Sequence, residues 1–131
     1  MGGWRQPLLM VDRIDDFKYG ENGYVKVIKH VTYNEPYLLG HFPEDPIMPG
    51  AIISEIFGQA SEYFSFLCDI CDIYQLRTGR EFLSLRDIHT YIDQPEMLEV
   101  IHKRRAQVRG VLAAQNLKFK ASAYPGDTIE V

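Results

Sequence analysis

The rhythm of apolar positions changes several times along the chain, and each change marks a different element. From Pro7 to Lys18 an apolar opening, Leu8-Leu9-Met10-Val11, gives way to Ile14 and Phe17 set among charges. Gly20-Glu21-Asn22-Gly23 is a turn cluster, and Tyr24 to Thr32 is β-branched with partial alternation. Two such runs across a Gly/Asn turn predict an antiparallel strand pair. Residues 33–49 hold Pro36, Pro43, Pro46 and Pro49 together with Gly40. That density excludes a helix or central strand and predicts an ordered loop. Its apolar residues, among them Tyr37, Leu38, Phe42 and Met48, predict that the loop packs onto the body.

Gly50 opens a different regime. To about residue 73 no proline intervenes, and Ile52, Ile53, Ile56, Phe57, Ala60, Phe64 and Leu67 cover most of a helical circumference. A helix apolar nearly all round is predicted to be buried, with sheet or a partner on several sides. Glu55, Gln59 and Glu62, at i, i+4 and i+7, predict one polar stripe on it. Residues 77–109 lack alternation and are expected as an insertion outside the sheet. Within it Glu81–Tyr91 is a charged segment of no clear type. Glu96–Val108 reads as helix, with Pro95 in its first turn and Glu96, Glu99, Lys103 and Arg104 spaced for salt links. Val111–Ala123 reads as a strand, Tyr124-Pro125-Gly126-Asp127 as a turn, and Thr128–Val131 as the start of another strand. This order predicts an α+β fold, an antiparallel sheet wrapped around one long central helix.

Composition narrows the class. A chain of 131 residues, 46% hydrophobic, suits a single domain over 1–131. Its 12% aromatic content excludes general disorder. Eighteen acidic against fourteen basic residues give a net charge of −4, so no overall positive field favours nucleic acid or an anionic membrane. No apolar run approaches the ~20 residues of a membrane span, and the first residues do not read as a signal peptide. A cytoplasmic protein is expected. Cys68 and Cys71 are too few for a disulfide framework, and one C-x-x-C without a second pair reads as core, with no metal expected.

Candidate chemistry gathers in Gly40-His41-Phe42-Pro43-Glu44-Asp45-Pro46-Ile47-Met48-Pro49-Gly50, followed by Glu55. Prolines on both sides stiffen the loop that carries His41. Free N–H groups where Pro49-Gly50 opens the helix favour a developing oxyanion. Glu55, just over one turn in, is expected to be desolvated among apolar neighbours, with its pKa raised. A base, an acid and an N–H donor suit elimination from a thioester. A packed loop running into a helix accounts for the same residues, and composition alone leaves both readings open.

Leu9-Met10-Val11-Asp12-Arg13, Asn34-Glu35-Pro36, Gly40-His41-Phe42-Pro43 and Pro46-Ile47-Met48-Pro49-Gly50 closely resemble the (3R)-hydroxyacyl-acyl carrier protein dehydratases of the FabZ type. The resemblance continues through Glu55 and Gln59 and resumes at Asn116-Leu117-Lys118-Phe119-Lys120 and Pro125-Gly126-Asp127, covering roughly residues 5–67 and 111–131. The sister FabA type carries Asp where this chain has Glu55. The resemblance implies a hotdog fold and a homodimer in which His41 of one subunit faces Glu55 of the other, with trimers of dimers frequent. It implies His41 and Glu55 as catalytic residues, and Gly50, Phe42, Pro49 and Gln59 as oxyanion or substrate contacts. No cofactor is implied, the acyl chain arriving on the phosphopantetheine arm of an acyl carrier protein.

Several positions depart from the family pattern. Glu44-Asp45 adds negative charge beside His41, which favours the imidazolium. Leu112-Ala113 stands where a small Ala-Gly pair is usual, Ala121-Ser122 replaces Arg-Pro, and the family pattern runs on for two to three more strands than this sequence contains. The basic run His102-Lys103-Arg104-Arg105 is a candidate docking surface for an acidic carrier, through Lys103, Arg104 and Arg105. Dehydration of a (3R)-3-hydroxyacyl thioester to the trans-2-enoyl thioester is therefore the expected activity. A hotdog thioesterase and a non-catalytic acyl-carrier-binding domain are the alternatives.

Overall fold

A computed structural model describes residues 5–107 and 113–131. Strands β1 (Arg13–Lys18), β2 (Tyr24–His30) and β3 (Thr128–Glu130) form one antiparallel sheet in that spatial order. Across its face lies α1 (Gly50–Thr78), and α2 (Leu85–Ile92) and α3 (Pro95–Gln107) follow it in the chain. Sheet and central helix have the hotdog arrangement.

The first apolar run is not strand throughout. Pairing begins where the Asp12 N–H donates to the Ile28 carbonyl, and Leu8 and Leu9 instead turn back onto the Arg5 carbonyl. Between them the chain passes under α1, where Gln59 takes the place of a neighbouring strand. Its Oε1 accepts from the N–H groups of Met10 at 3.0 Å and Val11 at 3.3 Å, and its Nε2 donates to the Leu8 carbonyl at 2.7 Å. Gln59 is fully buried, so the expected Glu55–Gln59–Glu62 stripe does not exist as a solvated face. A buried amide with those partners is satisfied, and none of the three backbone groups is left bare.

The helix also differs from its expectation in length and in coverage. Tyr74–Thr78 contain no breaker, so α1 continues to Gly79, whose left-handed φ of 68° and N–H to the Gln75 carbonyl end it. Twenty-nine residues make it about 44 Å long. Its buried positions, including Ile56, Ala60, Tyr63, Leu67 and Ile70, form a single stripe, because three short strands cover one side only. The first half of that stripe meets Val27, Val31, Leu38 and Met48. The second half meets Ile88 and Ile92 of α2 with Met97 and Ile101 of α3.

The charged segment before residue 91 proves to contain a helix. Ser84 caps α2, its Oγ accepting from the Asp87 N–H at 3.2 Å and donating to Asp87 Oδ2 at 2.9 Å. Pro95 opens α3, as its place in the sequence predicts, and Glu99 pairs with Lys103 at 2.9 Å. The Val111–Ala123 strand is not borne out over 113–123, where the chain carries no ladder; Val111 and Leu112 lie outside the described residues. The segment lies along the start of α1 instead. Ala123 accepts from the Met48 N–H, and the Gln115 side chain bonds Ser54. The turn and strand that follow form as expected, and the Asp127 carboxylate accepts from the Tyr124 N–H at 2.8 Å.

Two substitutions test this packing by chemical denaturation. Gln59→Leu strands the buried N–H groups of Met10 and Val11 and is expected to cost about 2–6 kcal/mol, since each costs roughly 1–3 kcal/mol unpaired. A loss under 0.5 kcal/mol would contradict the bridging role. Met97, with no exposed surface, joins α3 to α1. Met97→Ala should cost about 2–5 kcal/mol, and a negligible loss would mean that α3 is not part of the cooperative core.

Candidate active site

The loop between β2 and α1 is tied down at both ends. At its start Lys29 stands on the apolar face of β2, in the alternation Val25, Val27, Lys29, Val31, and is 5% exposed. Its ammonium lies 2.5 Å from Glu35 Oε1 and 3.5 Å from Asp12 Oδ1, while Asp12 Oδ2 accepts from the His30 N–H at 2.6 Å. Burying a lysine is tolerable only with such partners. Burial beside Glu35 also pushes the Tyr37 phenol far above its ordinary range. Sequence reading passed over Lys29. Its signal was a cation interrupting an otherwise apolar alternation.

Glu35 leads into a 3-10 turn, Pro36–Leu39, with Leu38 buried, and the chain then reaches His41. Reciprocal bonds between Phe42 and Asp45 close the tight turn after it, and the Ile47 N–H donates to the His41 carbonyl at 2.8 Å. The imidazole is held by a second link. Nδ1 lies 2.8 Å from the Ile47 carbonyl oxygen, which can only accept, so Nδ1 carries the hydrogen. Nε2 is then the basic nitrogen of the neutral ring. The Phe42 ring stacks on the imidazole with centroids 4.3 Å apart.

Pro49 is the N-cap of α1 and supplies no side-chain bond to the helix end. Its carbonyl accepts from Ile52 and Ile53 N–H, and the Gly50 N–H has no partner among the described residues. Gly50 is closely approached here. A Cβ would sit 3.1 Å from the Phe119 ring, which covers this end of the helix. One turn further, Glu55 Oε1 accepts from Gln59 Nε2 at 2.9 Å. Glu55 is half-buried, so the full desolvation expected for it is not achieved within one chain. The reason is again the one-sided cover of α1.

Of the residues singled out from the sequence, His41, Phe42, Pro49 and Gly50 share one loop and helix start, with Glu55 on the same helix. Among the described residues no hydrogen bond joins His41 and Glu55. Gln59, expected as a substrate contact, is sealed in the core with its whole amide engaged, and it reaches the site only through Glu55. The basic run is partly committed as well. Arg104 pairs with Asp69 of α1 at 3.3 Å and Lys103 with Glu99, while the Arg105 side chain lies outside the described residues.

Among the described residues no helix is long and apolar enough to cross a membrane, and among them no group of three potential metal ligands is gathered. Both cysteines are free thiols, and burial pushes the Cys71 thiol up to about 11, which keeps it protonated.

Residues 4–77 match the family model for the FabA-like domain; the resembling motifs at 116–120 and 125–127 lie outside that match. Three similar proteins are each named 3-hydroxyacyl-[acyl-carrier-protein] dehydratase FabZ. That of Thioalkalivibrio sulfidiphilus is 52% identical over 62 residues, covering 47% of this chain and 40% of its own. That of Cupriavidus metallidurans is 42% identical over 66 residues, covering 50% and 43%, and that of Haemophilus influenzae is 48% identical over 62 residues, covering 47% and 40%. The chain thus spans about two-fifths of the length of these curated relatives. A family match over more than half of its residues, carried on a hotdog sheet and helix, places the loop and helix start described above in a known context: the chain belongs to the FabA-like domain family.

Proposed function

We propose that the chain forms the active-site part of a (3R)-3-hydroxyacyl thioester dehydratase, releasing the trans-2-enoyl thioester and water. The observation that carries the reading is the His41 tether. Binding of Nδ1–H to the Ile47 carbonyl leaves Nε2 basic, on a rigid loop that leads to an open helix end. Nε2 takes the C2 proton, and the electrons of that C–H bond form the C2–C3 double bond. The C3–O bond breaks as Glu55, in its acid form, delivers a proton to the departing hydroxyl. The Gly50 N–H, at the positive end of α1, stabilises the thioester oxygen as charge builds there. Gln59 acts as a positioning residue by holding the Glu55 carboxyl. Phe42 and Pro49 border the space between.

A second copy supplies the missing half. No hydrogen bond joins His41 to Glu55 among the described residues, and Leu39, Phe42 and Phe119 are 79%, 52% and 53% exposed. Apolar surface of this kind favours an interface, so the site is read as composite, His41 of one protomer opposite Glu55 of its partner. The relatives' names supply an acyl carrier protein as the bearer of the substrate, its phosphopantetheine arm needing no further cofactor. Lys103, with a 73% exposed side chain paired to Glu99, is the remaining contact read for an acidic carrier. Free thiols fit a reducing, cytoplasmic setting.

The test uses the purified chain with a 3-hydroxyacyl thioester, following enoyl absorbance and free thiol separately. His41→Ala and Glu55→Gln should each lower dehydration by about 10²–10⁴-fold while circular dichroism stays unchanged. Thiol release without enoyl formation would identify a thioesterase, and neither product a binding domain. Mixing the two inactive variants should restore about one-quarter of the activity, because half of the dimers are mixed and each holds one intact composite site. No recovery after confirmed subunit exchange would contradict a shared site.

A further inference from the structure

One groove has neither His41 nor Glu55 in its lining. Residues 9–14, the middle of α1 and α2 enclose a groove of about 650 Å³. Its size falls within the range of about 300–1,000 Å³ common to small-molecule pockets. The walls are aliphatic: Val11, Leu67, Ile88 and Ile92 are buried and Leu85 is half-buried. Tyr63 adds an aromatic surface.

The rim is charged, and its partners can be accounted for one by one. Asp12 is bound to Lys29 and the His30 N–H. Arg13 is bound to Asp15 and to His30 Nε2. His89 Nδ1 lies 3.2 Å from Asp93. Arg86 alone among these rim groups has no ion pair or side-chain hydrogen bond among the described residues. An apolar trough with one unanswered cation at its edge is complementary to an amphiphile with an anionic head.

We propose that this groove binds a free aliphatic carboxylate, its chain against Leu67, Leu85, Ile88 and Ile92 and its carboxylate on Arg86. The site is independent of the dehydration reading, since binding here uses none of His41, Gly50 or Glu55. Either can fail without the other.

Dodecanoate below its micellar concentration, titrated calorimetrically into the whole chain, should bind saturably at one site per chain. Leu85→Trp, which fills the groove from its half-buried wall, should weaken binding at least about tenfold. Arg86→Ala should weaken dodecanoate several-fold and leave dodecanol, which lacks the charge, unaffected. Absence of saturable binding overturns the proposal, as does equal loss of both ligands in Arg86→Ala. Sedimentation of Leu85→Trp separates the remaining occupant: dissociation of an oligomer, with dodecanoate binding unchanged, would show a second copy on the groove and refute the proposal. If Leu85→Trp loses its circular dichroism signal, the Arg86→Ala comparison between dodecanoate and dodecanol decides alone.

Discussion

One buried amide holds the chain's first half together. Gln59 answers backbone groups at residues 8, 10 and 11 that have left the sheet, and it also grips the carboxyl of Glu55. The lead-in to β1, the core face of α1 and the proposed acid therefore share one set of bonds. Such a network is costly to break in part, because each remaining polar atom would stay buried without water. Chain entry and the carboxyl of Glu55 are in this way fixed relative to each other before any partner arrives.

The same logic recurs at Lys29. A cation on the inner face of β2 draws Glu35 and Asp12 inward, which binds the start of the loop to the strand on either side of it. Buried ion pairs add little net stability once desolvation is counted, but they specify geometry because any displacement leaves a bare charge. Together the amide and the ammonium frame the loop from two directions. Apolar packing then fills what lies between, through Val27, Val31, Leu38, Met48 and Ile56.

The strand pair, the proline-rich loop, the start of α1 and α3 were legible in the sequence because each rests on local rules of period, turn chemistry and capping. The candidate residues were legible through the motif from Gly40 to Gly50. What escaped reading was set by contacts distant in sequence. Gln59 shares helical spacing with Glu55 and Glu62, so its pattern says polar face, and only the unpaired backbone across from it says core. Arg86, Asp87 and His89 make the segment before residue 91 read as charged and hide the apolar pair Ile88 and Ile92 that α2 buries. The segment 113–123 has strand composition, but composition cannot supply a neighbour to pair with.

The bond from His41 Nδ1 to the Ile47 carbonyl has a consequence for the proposed turnover. Nδ1 is a donor in the neutral ring and remains one in the imidazolium, so the tether survives unchanged when Nε2 gains or loses a proton. Protonation even strengthens it, because the donor becomes charged while the carbonyl dipole already points toward it. The ring can therefore cycle between its two states in place. In the proposed reaction, loop, ring and helix end need no rearrangement between the two protonation states of the base.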